Sequence, residues 1–238
     1  MISLCVTNFN REHLLFEAIE QVLDDDRVSE IIISDDCSEY ALYLRVVDHY
    51  KPYPKVKVSR NDTNMDCFRN KRKAVSLASN EWVIVWDSDN VMTKSYIDAI
   101  WYAIGNNNGV PVWFSSTILQ PVFARPHFDF RMYGGTLIGK HNVRTYLAAD
   151  KFTTALNAMN YFVNRDEYLR VWDGSVDPVT SDSIWQNYCW LRADNSIQFL
   201  DGLEYDHRVH EGSHYKNNNN RTAKGFHESI IKKLKALR

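Results

Sequence analysis

Four cysteines in 238 residues, Cys5, Cys37, Cys67 and Cys189, are too few and too scattered to form a disulfide framework. None stands in a C-x-x-C pair, and their mostly apolar neighbourhoods suit reduced, packed thiols in a cytosolic setting. An excess of one charge is also missing. With 28 basic against 30 acidic residues the net charge is -2, which offers no general attraction to nucleic acid. No apolar run approaches the roughly 20 residues of a membrane span. The chain enters a strand-like run, Ile2 to Val6, without a basic leader or the apolar segment of a signal peptide, so the expectation is a soluble, cytoplasmic protein. No internal repeat is visible. What is present is 45% hydrophobic and 13% aromatic content, enough to bury the core of one large domain.

The first hundred residues alternate strand and helix patterns. Ile2 to Val6, Glu30 to Ser34, Val56 to Ser59 and Val83 to Trp86 read as strands. Glu12 to Leu23, Tyr40 to His49 and Cys67 to Leu77 read as helices, the second opened by Ser38 and the third carrying Lys and Arg on its outer face. Such a repeated strand–helix order predicts an α/β fold with a mostly parallel sheet and right-handed crossovers. The second half is less regular. Strand-like pieces near Pro111 to Ser115, Thr136 to Ile138, Tyr161 to Asn164 and Ile197 to Leu200 alternate with helical patterns at Asn142 to Ala149, Asp166 to Trp172 and Asp182 to Arg192.

Beyond the polar run Asn217 to Asn220, read as a connector, Phe226, Ile230, Leu234 and Leu237 recur at helical spacing beside Lys232, Lys233 and Lys235. That apolar stripe fits docking on its own domain, the commoner case, or peripheral contact with an anionic membrane. The expected organisation is one domain over 1–215, made of a 1–100 half and a 101–215 half, with a linker and amphipathic helix over 216–238.

Chemistry concentrates where the strands end. Trp82-Val83-Ile84-Val85-Trp86 runs into Asp87-Ser88-Asp89, two carboxylates spaced so that both can leave the same strand face. Thr7-Asn8-Phe9-Asn10-Arg11 follows the first strand, and Asp35-Asp36 follows the second. Open α/β sheets gather ligands at the carboxyl ends of their strands, and hard carboxylate oxygens there suit a divalent metal and phosphate. Taken singly, each cluster is also explained by turn or capping chemistry, with Asn10 as a cap for the helix that follows it.

Thr7 to Arg11, Ser34-Asp35-Asp36-Cys37-Ser38, Arg69-Asn70 and Asp87-Ser88-Asp89 together resemble, in order and spacing, the nucleotide-binding half of family 2 glycosyltransferases of the GT-A fold. The resemblance covers about residues 2 to 100. It implies that Thr7, Asn8, Phe9, Arg11, Asp35 and Asp36 hold the base and ribose of a nucleotide sugar, UDP favoured. It implies further that Arg69 opposes the diphosphate, that Asp87 or Ser88 lies against the ribose, and that Asp89 coordinates Mn2+ or Mg2+. A carboxylate beside an aromatic face is suited to a pyrimidine base.

In the second half, Thr180-Ser181-Asp182-Ser183-Ile184-Trp185 resembles the family's acidic motif at a helix start. Asp182 would then be the catalytic base of an inverting transfer to a saccharide or glycan hydroxyl, although the family usually has Glu-Asp where this chain has Ser181-Asp182. Alone, Asp182 is a first-turn carboxylate that favours the helix dipole. Tyr205 to Ser213 resembles a later segment in which His210 closes the metal site and Arg208 faces phosphate. His207, His210 and His214 lack a recognised zinc spacing. Trp113, Tyr133, Trp172, Trp185 and Trp190 fit either acceptor stacking or a core, and Gly134-Gly135 either a close backbone approach or a turn. Two rivals share these residues: a haloacid-dehalogenase-like phosphatase built on Asp87 and Asp89, and a sugar-binding module without turnover.

Overall fold

β1 (Ile2–Asn8), β2 (Val28–Asp35) and β4 (Trp82–Asp87) are nearly continuous apolar runs because both faces of their sheet are covered, and β1 is buried along its whole length. The computed structural model describes residues 1–238 except 108, 110–111, 122–128, 150, 159, 179–180 and 209–220. With β3 (Val56–Arg60), these strands form a parallel block ordered β3-β2-β1-β4. The chain steps outward from β1 to β3, then returns to place β4 on the other side of β1. That reversal makes the β1/β4 edge the crevice where ligands bind in such sheets.

The helices between them are α1 (Glu12–Ile19), α2 (Tyr40–Tyr50) and α3 (Cys67–Leu77), with α4 (Lys94–Gly105) following β4. α1 is shorter than its periodicity predicts. The backbone tightens into a 3-10 turn over Glu20–Val22 before a run of aspartates. Ser38 does not cap α2; its hydroxyl turns back to the preceding carboxylate, and Glu39 occupies the cap position. α3 starts at Asp66, whose side chain accepts from Arg69 N at 3.0 Å. Its residues do not all keep their cations outside, since Lys71 is buried.

The remaining strands extend the same sheet. β7 (Tyr161–Asn164) pairs antiparallel with β4 and with β5 (Val112–Pro121), β8 (Ser196–His207) lies parallel to β5, and β6 (Leu137–Ile138) pairs antiparallel at the edge. The full order is β3-β2-β1-β4-β7-β5-β8-β6. Short helices α5 (Val143–Tyr146), α6 (Phe152–Ala155) and α7 (Arg165–Val171) lead to α8 (Asp182–Arg192), which is buried through most of its length. Trp113, Trp185 and Trp190 fill the core, so the packing alternative holds for these aromatics. Trp172 stacks on Phe68 at 5.0 Å under the guanidinium of Arg72. Gly134 and Gly135 form a turn against Asp201, where a Cβ on Gly134 would meet the carboxylate at 1.9 Å.

The last helix, α9 (Arg221–Ala236), packs on α8 and α5. Ile230 and Leu234 are fully buried, and Phe226 meets Trp185 with ring centroids 5.9 Å apart. The stripe offered for a membrane surface is therefore spent on the domain itself, and among the described residues no helix is long and apolar enough to cross a membrane. The expected connector at Asn217 to Asn220 lies outside the described residues.

Candidate active site

Parallel register brings the predicted residues level with one another. Thr7 faces Ser34 on β2 and Asp87 on β4, and Asn8 faces Asp35, so three strand ends finish at the same height. Beyond them the first loop turns sharply. Asn10 adopts φ 53°, a left-handed conformation that Asn tolerates. Its N–H donates to Ser38 Oγ at 2.8 Å, and its Oδ1 accepts from Glu39 N at 2.8 Å. Asn10 therefore caps α2 from the neighbouring loop, rather than the helix that follows it.

The two adjacent aspartates divide their work. Asp35 is fully buried, and both of its oxygens serve the protein: Oδ1 accepts from Ser38 N at 2.9 Å, and Oδ2 accepts from Ser38 Oγ at 2.5 Å and Asn8 Nδ2 at 3.0 Å. Both oxygens of Asp35 and the amide nitrogen of Asn8 thus build the loop, whereas Asn8 Oδ1 is buried without a partner among the described residues. Asp36 accepts from Asn61 Nδ2 and Met65 N through one oxygen, both at 2.9 Å. Burial raises its pKa against the lowering effect of those bonds. Phe9 stands exposed beside this loop.

At the end of β4 each carboxylate has an internal cation. Asp87 Oδ1 lies 3.2 Å from Lys71 Nζ and accepts from Thr7 Oγ1 at 3.4 Å, while its N–H donates to Asn160 Oδ1 at 2.8 Å. Asp89 Oδ2 accepts from Arg11 at 2.8 Å. Ser88 is buried, and its N–H donates to Thr7 O at 3.2 Å. Lys71 also donates to Asp182 Oδ2 at 2.8 Å, joining residues 111 apart in sequence. Burial alone would lower the lysine pKa, but Asp182 and Asp87 outweigh it and hold it well above the usual value. For Asp87 burial is the larger influence and raises the carboxyl pKa, with Lys71 opposing.

Two expected contributors make contacts within the protein. Arg69 turns to Asp66 on its own helix, so its guanidinium is neutralised locally. Arg208 donates to Asp89 O at 2.7 Å, Glu17 Oε2 at 2.6 Å and Leu14 O at 3.3 Å, which commits it to fastening α1 to the Asp-x-Asp turn. His210, with Thr180 and His214, lies outside the described residues. Asn160 and Lys71 escaped the sequence reading. Lys71 could have been found, since it shares the inward stripe Phe68, Lys71, Val75 at i, i+3 and i+7.

The profile of glycosyl transferase family 2 matches residues 3–170, a span that includes Asp87-Ser88-Asp89 and the loops after β1 and β2 but not Asp182 or Arg208. The chain belongs to glycosyl transferase family 2. A protein of Escherichia coli (strain K12) assigned as the colanic acid biosynthesis glycosyl transferase WcaA is 31% identical over 96 residues, 40% of this chain and 34% of that one. This family 2 chain thus spans about a third of the length of that curated relative. Its fold is that of S. aureus TarS 1-349 in complex with UDP-GlcNAc, at TM-score 0.73 and 19% identity over 98% of this chain and 66% of that one. The mannosyltransferase PcManGT of Pyrobaculum calidifontis, in complex with GDP-Man and Mn2+, aligns at TM-score 0.63 and 13% identity over 99% and 69%. Family membership leaves the phosphatase rival without support.

Among the described residues no group of three His, Cys, Asp or Glu side chains stands ready to hold a metal. Asp89 nevertheless fits one. Mg2+ and Mn2+ are commonly held by one or two carboxylates, the remaining positions being completed by water and substrate phosphates, and Asp89 is a hard-oxygen donor at the crevice edge.

Proposed function

We propose that this domain is an inverting, metal-assisted glycosyltransferase that moves a sugar from a nucleoside diphosphate donor, UDP favoured, to a saccharide or glycan hydroxyl. The supporting observation is the convergence of Asp87 and Asp182, from distant parts of the chain, on one buried ammonium beside Asp89. The bound nucleotide sugars of the structural neighbours support the same donor class.

The base and ribose would lie between Phe9, which supplies an aromatic face, and Asp36, whose second oxygen is left to accept from a base N–H or ribose hydroxyl. Thr7 and Ser88 shape the floor. Asp89 would hold Mn2+ or Mg2+, with His210 as the proposed further ligand, and the bound ion supplies charge neutralisation at the diphosphate. Arg11, already on Asp89, brings a guanidinium to the same phosphates, a task that Arg69 and Arg208 leave open. Asp182 takes the proton from the acceptor hydroxyl as its oxygen attacks the anomeric carbon opposite the leaving diphosphate. The C–O bond to the nucleotide breaks as the new one forms, and the configuration inverts. We further propose that residues 1–100 bind the donor and 101–215 the acceptor.

The test is turnover of UDP-GlcNAc and GDP-mannose against a saccharide panel, with product configuration read from NMR coupling constants. A product of inverted configuration supports the assignment, and a retained one contradicts it. Binding of a nucleotide sugar with neither transfer nor hydrolysis would favour the sugar-binding module.

A further inference from the structure

Lys71 lies on the inward face of α3, almost fully buried, between the strand that carries the donor-side carboxylate and the helix that carries the proposed base. Lysine is among the residues least often found inside a protein, and an interior ammonium persists only where carboxylates surround it. Here two lie against it: Asp87 Oδ1 at 3.2 Å and Asp182 Oδ2 at 2.8 Å. Asp182 Oδ1 accepts no hydrogen bond from the described residues, so one oxygen of the base is fixed and the other is left over. Asp87 is tied in turn to β1 through Thr7 and to the strand β7 approach through Asn160.

Resting on the glycosyltransferase reading above, we propose that Lys71 is a positioning residue that locks the base to the donor site. Its Nζ holds Asp182 Oδ2, which aims Oδ1 at the acceptor hydroxyl, and the same ammonium fixes Asp87, so the distance between donor and base is set by one side chain. It touches neither sugar and transfers no proton. A purely neutralising lysine would do something different. It would support folding, with no preference for where the charge sits relative to the base.

Five proteins separate these cases: wild type, Lys71→Met, Lys71→Arg, Asp182→Asn and Lys71→Met/Asp182→Asn, each checked for folding by circular dichroism and thermal melting. The readouts are kcat and KM for hydrolysis of UDP-GlcNAc, or of GDP-mannose if only that donor is turned over, and the Kd for the matching nucleoside diphosphate. Expected is a fall in kcat of about 100-fold in Lys71→Met, the scale on which misplaced acid–base groups cost turnover. Nucleotide Kd should change by no more than about threefold, and Lys71→Arg should recover part of the loss. Added to Asp182→Asn, the lysine change should cost nothing further in kcat, because there is no base left to aim. A folded Lys71→Met with near-normal kcat, or a loss that multiplies fully with that of Asp182→Asn, overturns the positioning role while leaving the enzyme assignment intact. Absence of turnover in the wild type with every donor overturns the enzyme assignment, and the positioning role falls with it. If Lys71→Met does not fold, Lys71→Arg decides: normal kcat with an altered melting temperature overturns the proposal, and lowered kcat at unchanged nucleotide Kd supports it.

Discussion

The parallel block β3-β2-β1-β4 and the mixed block β7-β5-β8-β6 form one sheet, yet they place chemistry in opposite ways. In the first, the candidate residues outside α3 lie within a few positions of a strand's carboxyl end, because parallel strands with helical crossovers all finish on one edge. In the second, strands run both ways, and Asn160 before β7, Asp182 at the start of α8 and Arg208 after β8 reach the site from scattered positions. The proposed donor site thus follows from topology, whereas the proposed base depends on which helix starts at the crevice.

The sharpest way to break this contrast is Asp182→Asn. If the second half supplies the base and the first half the nucleotide site, kcat should fall by about 10²- to 10⁴-fold while UDP affinity stays within about threefold. Equal losses in both would mean that the halves do not divide the work.

Next in size is Leu234→Ala on α9. This side chain is fully buried against the second half, so its truncation should cost about 2–5 kcal/mol in urea unfolding. A cost below about 1 kcal/mol would mean that α9 leaves the domain in solution, reopening its apolar stripe to other partners.

The first half carries its own acid sensitivity. Burial raises the Glu30 pKa, but bonds from Lys57, Ser3 and Ser79 outweigh it and hold the carboxyl at about 2 against a usual 4.5. Because the folded value is the lower one, the stabilisation is complete above about pH 4.5 and is lost as pH falls towards about 2. On the order of 2–3 kcal/mol should disappear across that window in wild type, and Glu30→Gln should flatten the dependence. A profile unchanged by Glu30→Gln would place the acid sensitivity elsewhere.

Smallest is the first loop. Asn10→Ala removes the cap on α2 and puts a less tolerant residue at φ 53°, for a cost of about 1–2 kcal/mol, whereas Asn10→Gly should cost less than half of that. Equal costs in the two variants would show that backbone conformation is not the constraint there.

Much of the fold is legible in the sequence where its signals are local. The bounds of α3, β7 and α8 follow their periodicity residue for residue, and β1, β2 and β4 differ only at their ends. Less was legible where polar residues interrupt a strand. β8 continues past Leu200 to His207, although the alternation was present: Leu203, Tyr205 and His207 are buried while Glu204 and Asp206 point away. The Asp35-Asp36 pair was recognised as special, but which carboxylate faces a ligand is decided by Ser38 and Asn8 across two loops, and no local pattern encodes that. Lys71 was assigned to the outer face because lysine usually belongs there, and its position on the inward stripe was overruled by its chemistry. Pairings over 28, 78 or 111 residues, as in Asn10–Ser38, Arg11–Asp89 and Lys71–Asp182, appear only once the sheet is assembled.

A metal-assisted nucleotide site ending at Asp89 is best probed by calorimetric titration of UDP with and without Mn2+, in wild type and in Asp89→Ala. Binding should strengthen at least tenfold with the metal, about 1.4 kcal/mol, and lose that gain in Asp89→Ala. UDP binding of equal strength with and without Mn2+ in both proteins would contradict it.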